Sequence, residues 1–367
     1  MQRRKLKVAL IFGGRSAEHE VSLRSACSIF EAMDRDKYDV APVLITREGA
    51  WYWRPAETAC FDQKASLSEN YRLLFSPDPR HRGFLRIDAG GRIEPMHFDV
   101  VFPVLHGTFG EDGTLQGLLD LANMPYVGCG VLASAVGMDK VLMKGAFRDS
   151  GLQVGPFFWF LRSEWEDSRA AIMERMGHSK FPLFVKPANL GSSVGITRVS
   201  DAFDFEAAVT LAASYDRKIL VEDGIPGREL EVSVLGNDRA AASLPGEVIA
   251  HSDFYDYEEK YVRGTAELII PADLTESQRE EARSAAVAAF RAVDGSGLAR
   301  VDMFLTPGNR IVVNEINTLP GFTSASMYPK LWEATGLPYR GLIDKLIDLA
   351  LERHSDKQRI RTDRHKS

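Results

Sequence analysis

The segment ARVDMFLTPGNRIVVNEIN holds four residues whose types and spacing suit metal and phosphate chemistry. Pro307-Gly308-Asn309 is a strong turn signal between two β-rich runs, so the segment reads as a hairpin. With Leu305 opposite Arg310, Asp302 stands opposite Val313, and the two-residue strand period puts Arg300, Asp302, Glu315 and Asn317 on one face. Hard oxygen ligands at that density suit Mg²⁺, which takes one or two carboxylates and completes its shell with nucleotide phosphates and water. The competing reading is the solvated side of an amphipathic hairpin. Phe304 on the same face and the apolar flanking runs weigh against it.

A second constellation is Lys186-Pro187-Ala188-Asn189-Leu190-Gly191-Ser192-Ser193-Val194-Gly195. It sets a lysine at a strand end before small residues, Ser192 and Ser193 among them, whose backbone N–H groups can wrap a phosphate. A common P-loop would run Gly-Lys-Ser/Thr into a helix; here the strand ITRVS follows, which makes the loop a hairpin flap. A Gly-Ser turn between strands is also commonplace, so the loop alone names no ligand. Lys140, Lys186 and Lys260 are candidates for point charges on phosphate oxygens, although a lone lysine is as a rule a solvated surface residue. Glu222 and Glu229 flank the turn after KILVED, where a linker would hold adenine by backbone groups and ribose by a carboxylate. Gly321, in LPGFTSAS, is either an unobstructed oxyanion donor or simply a turn glycine. The first turn, GGRSAEHE, lacks the dinucleotide-binding spacing, which argues against a Rossmann NAD site. Glu18 and Glu20 fall in the first turn of the helix that follows, where the macrodipole favours acids; a capped helix and an amine-binding carboxylate are both open readings.

These residues need a frame. KVALIF, a helix across SLRSACSIFEAM, the strand YDVAPVLIT and the apolar VVFPVL alternate as in a parallel sheet flanked by helices. From about Thr46 to His97 the periodicity loosens, which predicts an insertion or loop excursion rather than a domain. A new unit begins near VGCGVLASAVGMDKVLMKGAFRDSG; FPLFVKP, GITRVS, AFDFEAAVTLAAS and KILVED form a small α+β unit, and RELEVSVLG, the helix SQREEARSAAVAAFRAV and the hairpin form another. The predicted domains are 1–128, 129–223 and 224–367, the last carrying a lid loop at 251–264, with a terminal helix near YRGLIDKLIDLALERH and a frayed basic tail. At 367 residues, with 45% hydrophobic and 26% charged residues and a net charge of -6, the chain has room for two or three domains, each with its own core, and no electrostatic reason to bind nucleic acid. No stretch approaches the ~20 apolar residues of a membrane span, and the N-terminal apolar run is too short for a signal peptide. A soluble, cytoplasmic protein with no membrane partner is expected. Cys27, Cys60 and Cys129 show no CxxC or zinc spacing and read as incidental thiols.

Together GGRSAEHEVS, LHGTFGEDGTLQG, GMDKVLMK, FVKPANLGSSVG, HSDFYDYEEKY, ARVDMFL and VNEINTLPGFTSAS resemble the D-alanine:D-alanine ligases of the ATP-grasp superfamily, in consistent order over nearly the whole chain. The resemblance implies a three-domain architecture mixing α/β and α+β parts, an N-terminal parallel-sheet domain and two further domains grasping ATP. It implies that Lys140, Lys186, Glu222, Glu229 and Lys260 contact ATP, and that Asp302, Glu315 and Asn317 hold two Mg²⁺ ions, with Mn²⁺ able to replace them. Glu18 would receive the ammonium of the first D-alanine, His106 would sit near that substrate, and Ser326 with its neighbouring backbone would receive the carboxylate of the second. Arg300 and the Gly321 N–H would stabilise the oxyanion, and a set of Glu18, Ser192 and Tyr261 would surround the second amine, with Tyr261 on the mobile lid. The product would be D-alanyl-D-alanine for peptidoglycan, and related enzymes suggest a homodimer. Two departures stand out: Asp223 in VEDGI leaves the adenine contacts open, and Ala325 removes any helper side chain just before Ser326. The alternatives are a D-alanine:D-lactate or D-serine ligase and a non-catalytic ATP-binding regulator.

Overall fold

The computed structural model describes residues 4–54, 61, 71–88, 90–249 and 267–361. The lid segment 251–264 with Lys260 and Tyr261, Cys60, and the basic tail from 362 lie outside them.

The first sheet grows from β1 (Leu6–Gly13), whose residues from Val8 to Phe12 have no exposed surface, as expected of a parallel strand covered on both faces. Helix α1 (His19–Ala32) follows and buries Val21, Ser25 and Ile29, one stripe at four-residue spacing. Parallel pairing places β2 (Tyr38–Ile45) on one side of β1 and β7 (Val100–Val104) on the other. Between them, β3 (Trp51–Trp53), β4 (Tyr71–Ser76), β5 (Gly83–Ile87) and β6 (Ile93–Met96) add antiparallel strands beyond β2, giving the order β6-β5-β4-β3-β2-β1-β7. This corrects the loop excursion read between Thr46 and His97. Those strands are short and half exposed, and β6 carries Pro95, which only an edge position tolerates.

After α2 (Thr114–Leu121), α3 (Val131–Met138) and α4 (Lys140–Asp149), β8 (Phe157–Leu161) and α5 (Arg162–Gly177) precede β9 (Leu183–Pro187), β10 (Thr197–Val199), α6 (Phe205–Tyr215) and β11 (Lys218–Asp223). The second sheet runs β10-β9-β11-β8, all antiparallel, over a core of Phe160, Leu183, Val185, Phe205, Val209 and Ile219. The expected hairpin flap is there: Thr197 pairs with Val185 and Val199 with Leu183.

The third sheet is built from β12 (Arg228–Gly236), β13 (Ala241–Ala242), β14 (Gly246–Ile249), β15 (Glu267–Ile269), β16 (Gly297–Leu305) and β17 (Ile311–Asn317), with α7 (Glu276–Ala292) between β15 and β16. Helix α7 opens on a Thr275/Gln278 capping box and lays Ala282, Ala286 and Ala289, small side chains that allow close approach, on the sheet together with the ring of Phe290. Helices α8 (Met327–Ala334) and α9 (Tyr339–Lys357) close the described chain. Leu342, Leu346 and Ile347 of α9 join Val8, Leu10, Phe12 and Phe102 in one core with Phe322 and Tyr328, so the largest core spans the first and last parts of the sequence instead of belonging to either. Among the described residues no helix is long and apolar enough to cross a membrane.

Candidate active site

The β16–β17 hairpin is present, but its pairing differs from the sequence expectation. Leu305 faces Ile311 and Met303 faces Val313; a bulge then makes Asn314 the extra residue, so Asp302 faces Glu315 and Arg300 faces Asn317. The expected register slipped by one residue at the turn, and the bulge adds a second. Because faces alternate with a period of two, the errors cancel, and the four polar residues do share a face. Strand β12 adds to it: Glu231 stands opposite Asp302 and Glu229 opposite Phe304.

Arg300 forks Asp302 with Nε and one terminal nitrogen at 2.7 and 2.6 Å, and its Nε lies 3.1 Å from Glu231. Asp302 is 4% exposed, and Lys140 Nζ lies 3.8 Å from Glu315. Asn317 Oδ1 accepts from the Leu319 N–H at 3.0 Å. Asp302, Glu315 and Asn317 offer oxygen only, the donor set of Mg²⁺ or Mn²⁺ rather than of zinc. Among the described residues no group of three or more His, Cys, Asp or Glu side chains is placed to hold a metal ion. Two carboxylates and an amide therefore fit such an ion only if phosphate and water complete its shell.

In the flap, Ser192 and Ser193 adopt φ of 51° and 58°, the left-handed region that non-glycine residues rarely enter. The N–H groups of Val194 and Ile196 close turns inside the loop, and Lys140 Nζ donates to the Leu190 carbonyl at 2.7 Å. The Ser192 hydroxyl donates to Glu18, which joins the flap to the first sheet's leading turn. Glu18 is the residue before α1 and makes no side-chain cap, so the capped-helix reading of Glu18 falls away. Glu20 pairs instead with Arg47.

Glu222, on β11, is buried between two ammonium groups, Lys144 Nζ at 2.6 Å and Lys186 Nζ at 2.5 Å. Burial alone would raise its pKa, but the two lysines hold the carboxyl down at about 2. Burial pulls Lys144 below the usual lysine range despite Glu222, whereas Glu222, Glu315 and Glu229 overcome burial and raise Lys186.

His106 is 4% exposed, with Nδ1 3.1 Å from the Leu319 carbonyl and 3.8 Å from Glu111, and Nε2 3.3 Å from the Ser25 hydroxyl. Burial works against its protonation, but Glu111, Glu18 and that carbonyl raise its pKa. Ser326 precedes α8, and its hydroxyl accepts from the Thr323 N–H at 3.0 Å. A Cβ on Gly321 would sit 3.3 Å from that hydroxyl, so the glycine keeps its surroundings open.

One cavity of about 390 Å³ collects Glu18, His106, Lys140, Ser192, Arg300, Glu315, Asn317, Gly321 and Ser326. Lys186, Ser193, Glu222, Glu229 and Asp302 are not in its lining; Lys186 is paired with Glu222 and feels the charge of Glu229, and Asp302 is held by Arg300, which does line it. Three charged partners escaped the sequence reading: Lys144, Glu111 and Glu231. Lys144 falls one helical turn after Lys140 in GMDKVLMK, and Glu231 two residues after Glu229 in RELEVSVLG, spacings that carry both onto the faces already singled out.

The cavity brings together a carboxylate-bearing hairpin face, the serine-glycine flap and the buried Lys140, groups of the kind that hold phosphates and their metal ions, and the class to which the chain belongs, a ligase, is shown by its relatives. The family models for the D-ala D-ala ligase N-terminus and C-terminus match residues 7–129 and 146–348. A D-alanine--D-alanine ligase of Heliobacterium modesticaldum is 49% identical over 365 residues, 98% of each chain, and one of Bacillus licheniformis is 48% identical over 97% of this chain and 99% of that one. The solved D-alanine-D-alanine ligase of Coxiella burnetii superposes with a TM-score of 0.85 at 39% identity, covering 97% of both chains. The VanG D-Ala:D-Ser ligase of Enterococcus faecalis superposes with a TM-score of 0.84 at 40% identity, covering 95% of this chain and 100% of that one. The chain belongs to the D-alanine–D-alanine ligase family, and its three sheets are those of the expected ATP-grasp architecture.

Proposed function

We propose that this protein joins two D-alanine molecules into D-alanyl-D-alanine at the expense of ATP, releasing ADP and phosphate. The observation that carries the reading is the gathering of Glu18, Arg300, Glu315, Asn317, Gly321 and Ser326 in one cavity under the Ser192 flap. The first D-alanine places its ammonium on Glu18 and its carboxylate toward the Arg300 side. A carboxylate oxygen attacks the γ-phosphorus, the bond to ADP breaks, and an acyl phosphate results. The second D-alanine, its carboxylate held by Ser326 and the backbone at the start of α8, attacks the acyl carbon with its amine. That amine is freed beforehand, when its ammonium gives up a proton to the Glu18, Ser192 and Tyr261 set; Arg300 and the Gly321 N–H then hold the oxyanion, and phosphate leaves as the amide forms with loss of a second N–H proton. Lys140, Lys186 and Lys260 place positive charge on the nucleotide, Glu222 and Glu229 flank its adenosine, and Ser193 belongs to the flap above it. Asp302, Glu315 and Asn317 are assigned to two Mg²⁺ ions, with Mn²⁺ able to replace them, which supply further positive charge to the phosphate oxygens when bound.

Domain boundaries at 128 and 223, a lid at 251–264, a homodimer and a cytoplasmic location complete the proposal, together with a place in peptidoglycan precursor synthesis. The test is ADP release from ATP and Mg²⁺ with and without D-alanine. Stimulation by D-alanine is expected; without it the ligase reading fails, and ATP binding without turnover would mark a regulator. Because the Enterococcus relative is titled a D-Ala:D-Ser ligase, D-serine and D-lactate belong in the same assay as competing second substrates.

A further inference from the structure

The least explained charge near the site is Lys144. It is 2% exposed, and its Nζ donates to the Asn314 carbonyl at 2.8 Å while lying 2.6 Å from Glu222. Asn314 is the bulge residue between Val313 and Glu315, so this ammonium is anchored to backbone and is not placed to follow a ligand. Lys186, 2.5 Å from the other oxygen of the same carboxylate, extends from the flap-bearing strand β9. A buried ion pair is weak support for a fold, and a well-packed apolar pair of similar volume would serve as well or better. Two cations on one carboxylate therefore call for another reason. If Lys186 leaves for a phosphate, Glu222 is stranded in a buried place unless a second cation stays behind.

We propose that Lys144 is a positioning residue: its anchored ammonium keeps Glu222 compensated, so that Lys186 is released from that carboxylate to a nucleotide phosphate. This rests on the assignment of Lys186 to ATP. Without Lys144, Lys186 is the one lysine among the described residues left in an ion pair with Glu222, which then competes with the phosphate for it.

The experiment is calorimetric titration of the full chain with ATP and Mg²⁺, D-alanine omitted, for wild type, Lys144→Met, Glu222→Gln and the double variant. Lys144→Met is expected to weaken ATP binding about 10- to 100-fold, the size of one lost charge-assisted hydrogen bond, with KM for D-alanine unchanged. In the Glu222→Gln background the same Lys144 substitution is expected to have no effect on ATP affinity, since position 222 no longer carries the charge that Lys144 compensates. Equal loss in both backgrounds, or no loss in wild type, overturns the proposal, and either would mark a residue that only packs. Should Lys144→Met fail to fold, Lys144→Gln takes its place in both backgrounds, with the same outcomes read. Failure of the wild type to bind ATP at all would overturn the nucleotide assignment itself, and this inference with it.

Discussion

Acid should loosen this protein through Glu222 in a way that one substitution isolates. Its carboxyl is held at about 2 rather than the ordinary 4.5, and at about 1.4 kcal/mol per tenfold that is roughly 3 kcal/mol of native-state stabilisation at neutral pH. The sign follows from the depressed value: the stabilisation is fully present above about 4.5 and is lost as pH falls from there through about 2. Glu222→Gln removes the charge and leaves Lys144 and Lys186, at 2.6 and 2.5 Å, facing an amide, which costs about 3–5 kcal/mol. Urea unfolding of wild type and variant, followed by circular dichroism from pH 7 to pH 3, reads the gap directly. The gap should be widest at pH 7 and narrow steadily below about pH 4.5. A gap under ~1 kcal/mol at pH 7, or one that stays constant on acidification, would refute the reasoning, because either means the two lysines do not hold Glu222 ionised.

Arg300→Lys loses the fork on Asp302 and the contact with Glu231; kcat should fall about 10²- to 10³-fold in steady-state ADP release, and an unchanged kcat would remove Arg300 from the oxyanion role. Gly195→Ala forces a side chain into φ of 73° with its Cβ 2.7 Å from the Tyr215 ring, so thermal unfolding should report a loss of about 1–3 kcal/mol and KM for ATP should rise as the flap shifts. Chelation with EDTA should abolish D-alanine-stimulated ADP release, with Mg²⁺ or Mn²⁺ restoring it; residual activity in excess chelator would contradict the metal assignment of Asp302, Glu315 and Asn317. Tyr261→Phe should alter the ratio of D-alanine to D-lactate and D-serine products, and an unaltered ratio would show that this tyrosine does not set the second substrate.

Sequence was informative where local chemistry decides structure. Pro307-Gly308-Asn309 announced its turn, and the glycines and serines after Lys186 announced a flap, since few residue types make those backbone conformations. It was less informative about pairing. Nothing in RIVVNEIN marks Asn314 as the bulge, because that depends on what β16 and α4 present to it, so the shared face of Arg300, Asp302, Glu315 and Asn317 was reached through two errors of one residue each. The strands between Thr46 and His97 were missed because three to six half-exposed residues at a sheet edge need no alternation. Lys144 was missed for a different reason: a lysine is usually solvated, and only tertiary placement between Glu222 and Asn314 makes it an interior group.

The core shared by β1, α1 and α9 has a consequence for how the chain is made. Synthesis delivers the N-terminus first, yet the apolar face of Leu10 and Phe12 is completed by Leu342, Leu346 and Ile347. Arg353 further ties α9 to the Tyr126 carbonyl at 3.0 Å and the Ser296 hydroxyl at 2.7 Å, and Asp344 takes Lys37 and Tyr38 at 2.6 and 2.8 Å. On the ribosome the oldest part of the sheet must therefore wait, partly uncovered, for the last described helix to emerge, while the antiparallel unit in between, with a core of its own, can close as soon as it is out. A strand translated early is among the last to be buried.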